Sequence, residues 1–531
     1  MTTLTGLWPL VRFTLRRDRV RLAVWILGIA VTTVISAASL LDVYPDQAAI
    51  DSYVRLFGDN PALVAFAGPG YGFDDPNIGV VLVNETQLYG MVATALMSIF
   101  LLNRSTRAEE DSERAELVLA NVVGRHAPTA AATAVVALAN VVIAVLCLLG
   151  FVALDYPVPG SVALAGSQLV VGIMFAGVTA VMAQLFSSGR SVLGMSSVVL
   201  AVAFVVRAIG DIGHNSLSWL SPMGWAQGVR AYAGERWWTL ALCAALAVAL
   251  VTASFWLSTR RDLGTGLLPQ KPGPPAAAGW VTRPLGLAFR LQRGSLIGWT
   301  IGLFLIGGVY GSIADDIDEM IEDNPQFAEV FLRLGGASLT DTFFATSMTM
   351  LALIASGFAI SSALTLRSEE GAGRADSVLA GPVSRDRWAL SHLVIAVAGT
   401  VLTVGAAGLG VGVGYAAVIG DLSQIPRLTG VALVTVPGVL VLVGATTALF
   451  GLAPRAALAS WGVLAVMAVI GFFAALLQLP DWTLLVSPFE HLPAVPAEDL
   501  RLAPILLLTV LAAALVAGGL WGLRHRDAGA H

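Results

Sequence analysis

The chain reads as an all-α polytopic membrane protein, with about twelve transmembrane helices in two parallel six-helix repeats. Three observations predict this: an apolar composition, apolar stretches of spanning length along the whole chain, and a charged block that occurs twice. Of the 531 residues, 56% are hydrophobic and 12% charged, with a mean hydropathy of +0.80. Soluble domains run at about 45–50% and about 25%. A hydrocarbon core about 30 Å thick needs about 20 apolar helical residues. The alternating segments of about 10 residues that a β-barrel requires are absent.

The first element is "LVRFTLRRDRVR", five arginines ahead of an apolar run too long for a cleavable signal peptide. Spans are predicted near 22–41, 86–103, 130–154, 161–186, 191–209 and 238–257. A Pro-rich linker, 263–285, joins this first half (1–262) to a second (286–531). There the spans are predicted near 296–314, 344–366, 388–416, 428–451, 456–478 and 503–523. With both termini cytoplasmic, 23 of the 30 Lys and Arg residues fall in inside segments and 7 outside, the positive-inside asymmetry. Cys147 and Cys243 lie within spans, lack metal-ligand spacing, and read as small buried hydrophobes.

The block "TRAEEDSERAELVLANVVGR" (Thr106–Arg125) returns 260 residues later within "LRSEEGAGRADSVLAGPVSR" (Leu366–Arg385). Arg107, Glu109, Glu110, Arg114 and Arg125 fall on Arg367, Glu369, Glu370, Arg374 and Arg385, and Glu116 faces Asp376. Ten of the nineteen positions from Arg107 to Arg125 are identical. The repeat extends beyond the block. "LRRDRVRLAVW" (Leu15–Trp25) parallels "FRLQRGSLIGW" (Phe289–Trp299), and Ser221-Pro222 parallels Ser487-Pro488. Arg190 parallels Arg455, and Trp256, Arg261 and Asp262 parallel Trp521, Arg526 and Asp527. An even number of spans per copy makes the repeats parallel.

Read as a helix, the block pairs Glu110 with Arg114, and its second copy Glu370 with Arg374, at i,i+4. Its acids come early and its arginines late, as the helix dipole favours. Ala115, Val118, Leu119 and Val122 share one face. Amphipathic helices are therefore predicted over 106–125 and 366–386. Such a helix serves equally as a solvated connector. The same charges kept at the same spacing in both halves favour a docking element.

Glu369-Glu370-Gly371, Arg374-Ala375-Asp376 and Leu379-Ala380-Gly381-Pro382-Val383-Ser384-Arg385 resemble the cytoplasmic motif of type-2 ABC exporter permeases. The basic segments 8–21 and 286–295 resemble that family's connecting (elbow) helices. The doubled layout, with "SPMGWAQGVRAY" (Ser221–Tyr232) before span six, resembles actinobacterial exporters of polyketide antibiotics, the tetronasin-resistance type. The resemblance covers essentially the whole chain. It implies a pseudo-twofold exporter fold in a bacterial inner (plasma) membrane, and coupling helices that receive force from an ATPase. It further implies a substrate path that meets spans two and eight. The first copy departs from the pattern, with Asp111 for Gly371 and Val122 for Pro382.

Lys271, between Gln270 and Pro272, is the sole lysine, so these residues hold no Walker A lysine. The chain is then a transport subunit rather than an enzyme, with no cofactor of its own. ATP and Mg²⁺ belong to an ABC ATPase partner, expected in two copies per chain. The remaining partners are a hydrophobic small molecule and the bilayer, with no nucleic acid. Reversing charge at Glu109, Glu110, Glu369 and Glu370 is expected to uncouple hydrolysis from transport while the protein stays folded. The rivals are a major-facilitator-like secondary transporter and a lipid-linked membrane transferase. The first needs a Gly-x-x-x-Asp-Arg-x-Gly-Arg loop after span two and the second paired acids at one membrane face, and neither is found.

Asn140, Gln168, Gln184, His392 and Gln478 are polar residues within spans, either lining a substrate path or bonding helix to helix. Arg207 and Glu85 lie near outer span ends and are expected to snorkel. "ADDIDEM" (Ala314–Met320) reads as an acidic outer loop, and "GPGYGFDDP" (Gly68–Pro76) as a Gly-rich turn. The glycines of "GAAGLGVGVGYA" (Gly405–Ala416) read as close helix packing.

Overall fold

The computed structural model describes residues 3–58, 61–112, 116, 120–262, 264–268, 276–314, 339–473, 483 and 485–526. Arg114, Gln478 and the acidic stretch from Asp315 to Met320 lie outside these. All regular structure among the described residues is helical. The chain divides into two compact units, Met1–Gly273 and Pro274–His531.

The first unit contains α1 (Leu7–Val43), α2 (Gln47–Gly58), α3 (Pro61–Ala67), α4 (Ile78–Ser105) and α5 (Arg107–Asp111). After these come α6 (Ala127–Ala153), α7 (Val158–Leu185), α8 (Gly189–Ile212), α9 (Pro222–Gln227) and α10 (Trp237–Ser258). Local chemistry sets the starts. Asn77 accepts from the Val80 amide ahead of α4, and Ser188 from the Ser191 amide ahead of α8. Ser221 caps α9 with Pro222 in its first turn. The helices of spans two and four are the most enclosed, while α1, α8 and α10 face outward and bury least. On α10, Trp237 and Trp238 are exposed at one end and Trp256 at the other. At about 1.5 Å per residue the Trp238–Trp256 separation is about 27 Å, close to one hydrocarbon thickness.

The second unit contains α11 (Pro284–Ile313), α12 (Leu339–Ala363), α13 (Thr365–Gly371), α14 (Arg374–Leu379) and α15 (Arg385–Ile419). Beyond these lie α16 (Gln424–Leu433), α17 (Val436–Leu452), α18 (Ala459–Phe473) and α19 (Leu502–His525). Ser384 caps α15 and Gly420, at φ +77°, ends it. Ser487 accepts from the Phe489 amide, as Ser221 does from Met223, so both Ser-Pro pairs make the same cap.

Eleven described helices are long and apolar enough to cross a membrane. The expected span at 456–478 is described from Ala459 only to Phe473. Two expectations are corrected. Segments 8–21 and 286–295 are no separate elbow helices but the opening turns of α1 and α11, since no proline interrupts either helix after its first turn. Span two begins at Ile78, not near 86, because Asn84 and Gln87, which lower its hydropathy, are buried against other helices.

In α11 and α15 the helix backbones touch. A Cβ at Gly307 or Gly311 would collide with the carbonyls of Ala407 or Val411, and one at Gly410 or Gly414 with those of Phe304 or Gly308. Gly410→Val is therefore expected to cost at least about 1–3 kcal/mol by overpacking. Gly302→Val, which meets nothing within 4 Å, should be neutral. Thermal midpoints of the two variants in detergent check this; equal midpoints would refute the close packing.

Candidate functional site

The duplicated block is built around the end of each unit's last span. In the first unit Arg261, three residues past α10, donates to both carboxylate oxygens of Glu110, at 2.6 and 2.8 Å. Arg125 donates to the Arg261 carbonyl at 2.9 Å and to that of Ser258 at 2.7 Å, closing orphan carbonyls at the helix end. In the second unit Arg526 donates to Glu370 at 2.6 Å, and Arg385 to the Arg526 carbonyl at 2.8 Å. The same three positions therefore make the same latch twice. Each latch binds the end of the unit's second span and the start of its third to the end of its last. The Glu110 and Glu370 side chains are 13% and 6% exposed, so these carboxylates are committed inward.

Arg107, Glu109 and Asp111 of the first copy are also tied down. Arg107, fully buried, donates to Glu110 at 2.7 Å and to the carbonyls of Ser187, Gly264 and Thr265 at 2.7–3.0 Å. Glu109 accepts from Arg17 at 2.8 Å. Asp111 accepts the Gly189 amide at 2.5 Å, a carboxylate at the N-terminus of α8, where the dipole favours it. This is what the departure from Gly371 provides.

The second copy makes other contacts. Arg367 is half-buried, and Gly373, at φ +69°, breaks the helix before Arg374. Arg374 then folds back to Glu369 at 2.8–3.1 Å. Hydrogen bonding to Glu369 raises the already high guanidinium pKa. The predicted single helix over 366–386 is thus two short helices, α13 and α14, with Arg385 already in α15. The predicted helix over 106–125 is described as α5, ending at Asp111, with Glu116 helical and Ala120 in a turn. The expected Glu370–Arg374 pair gives way to Glu369–Arg374, because the break at Gly373 carries Arg374 off the α13 face. Val122, expected on the apolar packing face, is 65% exposed.

A cavity of ≈ 480 Å³ lies beside the first latch, lined among others by Phe13, Arg17, Glu109, Arg125, Pro128 and Arg261. Its counterpart is ≈ 10 Å³ and lined by Trp388, which stands at the position of Pro128.

The in-span polar residues sit between helices. Asn140 donates to Ser98 at 3.0 Å and faces Gly172; Gln168 packs on Gly90; both are buried. Gln184 accepts from Arg261 at 2.6 Å. His392 meets Gln292 at 3.3 Å. Gln292 aligns with Asp18 of "LRRDRVRLAVW", and Asp18 is buried under Arg17, Arg21 and Arg104 at 2.8–3.3 Å. Neither was singled out from sequence, although both stand among the matched arginines that open the two halves. Arg207, expected to snorkel, is fully buried and pairs with Asp211 at 3.2 Å.

Two helical units that close on the same latch define a duplicated, all-α, multi-pass membrane protein. The family model described as "Multidrug efflux system permease Rv1217c, C-terminal domain" matches residues 9–257 and 281–524. The chain is also 38% identical over 527 residues to the multidrug efflux system permease protein Rv1217c of Mycobacterium tuberculosis (strain ATCC 25618 / H37Rv), covering 98% of this chain and 95% of that protein. It belongs to the multidrug efflux system permease family.

Proposed function

We propose that the chain is the membrane subunit of an ATP-driven ABC exporter that extrudes hydrophobic compounds, antibiotics among them, across the bacterial plasma membrane. A separate ATPase, in two copies, binds ATP and Mg²⁺ and docks on the two charged blocks, on the cytoplasmic side with both termini. One observation carries this reading: in each copy the latch consumes Glu110 and Arg125, or Glu370 and Arg385, and leaves other matched positions facing outward. Glu116 and its counterpart Asp376 are both exposed. In α14 Ala375 is buried beneath Asp376 and Ser377, so the helix has one anchored face and one free.

The four glutamates are held within their own units, so this reading puts the docking contacts first at Glu116 and Asp376. Glu116→Lys with Asp376→Lys is expected to leave the chain folded. ATPase co-purification should fall at least about tenfold, a change of about 1.4 kcal/mol, and drug resistance should fall with it. Unchanged association and unchanged drug-stimulated hydrolysis would remove the docking role. Drug efflux persisting after deletion of every candidate ATPase would favour the secondary transporter instead.

A further inference from the structure

Glu85 differs from four other acids on or beside the spans of the first unit. Asp18, Glu109, Glu110 and Asp211 each meet a guanidinium within 3.2 Å. Glu85, on α4, has no basic partner among the described residues. Its Oε1 accepts from the Tyr53 hydroxyl at 2.9 Å, and Oε2 takes no protein hydrogen bond there. The same hydroxyl lies 2.9 Å from Asn84 Oδ1, and its single proton cannot serve both. An ionisable group within a span is costly, and such groups face a partner, a cavity or a ligand.

Aromatic rings surround Tyr53, its hydrogen-bond donor. Tyr53 stacks on Phe57 with centroids 4.1 Å apart, and meets Tyr44 and Phe73 edge-on at 5.3 and 6.4 Å. One helical turn along α4 from Glu85, Tyr89 is 55% exposed. Burial first, and then the charge of Glu85, push the Tyr44 and Tyr53 hydroxyls up, so both stay protonated. In the second copy Ala345 and Thr349 stand at the positions of Glu85 and Tyr89. A part of the ATP-driven machinery would be wanted twice, whereas a single copy suits selection of cargo.

We propose that Glu85, with Tyr89 and the aromatic group around Tyr53, forms a binding site for a lipophilic organic cation. The carboxylate answers the charge and the exposed Tyr89 ring holds the apolar body, while the packed group around Tyr53 fixes the carboxylate in place. That this cation is exported cargo rests on the export reading above; its binding does not.

The test uses the full chain in a non-ionic detergent, without any ATPase. Fluorescence anisotropy compares ethidium, a permanent aromatic cation, with 6-phenylphenanthridine, its uncharged skeleton, as competitor. The wild type is expected to bind ethidium at least about tenfold more tightly than the skeleton. Glu85→Gln should lose about that factor for ethidium alone, Glu85→Asp should retain most of it, and Tyr89→Ala should weaken both ligands. Wild-type affinity of Glu85→Gln for ethidium overturns the proposal. So does equal affinity of the wild type for the two ligands, a comparison that stands even if the variant fails to fold. A failed docking experiment leaves this result untouched, and the reverse also holds.

Discussion

Glu110→Arg is expected to destabilise the first unit by about 3–5 kcal/mol, and Glu370→Arg the second by as much. Each reversal sets two guanidiniums face to face in a site where Arg261 and Arg526 are 8% and 13% exposed. Arg107, fully buried and 2.7 Å from Glu110, would lose its partner as well. The exchange Glu110→Arg with Arg261→Glu should restore much of the loss but not all, since Arg107 then meets an arginine. Glu370→Arg with Arg526→Glu should restore more, because Arg367, at the position of Arg107, is half-buried rather than fully buried. Contacting residues are where such coupling is expected. Folded yield and thermal midpoint by size exclusion give the readout. A single reversal that melts like the wild type would show that the latch holds nothing. This expectation replaces the one drawn from sequence, that reversing these glutamates leaves a folded, uncoupled protein.

The two copies of the charged block made it legible in the sequence that the segment matters, but not which way its side chains turn. Spacing alone gave Glu370 to Arg374. The actual partner of Glu370, Arg526, lies 156 residues away, and that pairing follows from how the last span packs. A signal for it was present: Arg261 and Arg526 match at the ends of the halves, as Glu110 and Glu370 match in the block. Two duplicated charges of opposite sign are candidates for one duplicated contact. The spans themselves were read nearly in full, because bilayer thickness fixes helix length whatever the packing. Their ends were less legible. Hydropathy scores Asn84, Gln87 and Asp18 as polar, while the fold buries all three. Gly410 and Gly414 were read for what they do, since glycine at close spacing in a span has few other uses.

Arg207 carries the second large effect, and hydropathy placed it wrongly, at a span end free to reach water. Its guanidinium lies over the Phe204 ring at 4.9 Å, donates to Asp211 at 3.2 Å, and donates to the Ala65 carbonyl near the end of α3. Gln227 adds a donor to the Ala67 carbonyl at 2.9 Å, so the open end of α3 is capped from α8 and α9 together. Asp211 is further held by Ser218 at 2.5 Å. Arg207→Met removes the cation but leaves Asp211 4% exposed, and an uncompensated buried charge of that kind costs about 3–5 kcal/mol. Arg207→Met with Asp211→Leu should recover most of this, because the pair goes together. In both variants the Ala65 carbonyl loses its donor, so α3 should loosen even where stability returns. Limited proteolysis across residues 59–67 separates the two effects. Cleavage there should rise in both variants, while only the single variant loses thermal stability. If the double variant remains as unstable as the single, the cost lies in the lost α3 cap rather than in the stranded carboxylate, and Arg207 acts chiefly by holding α3.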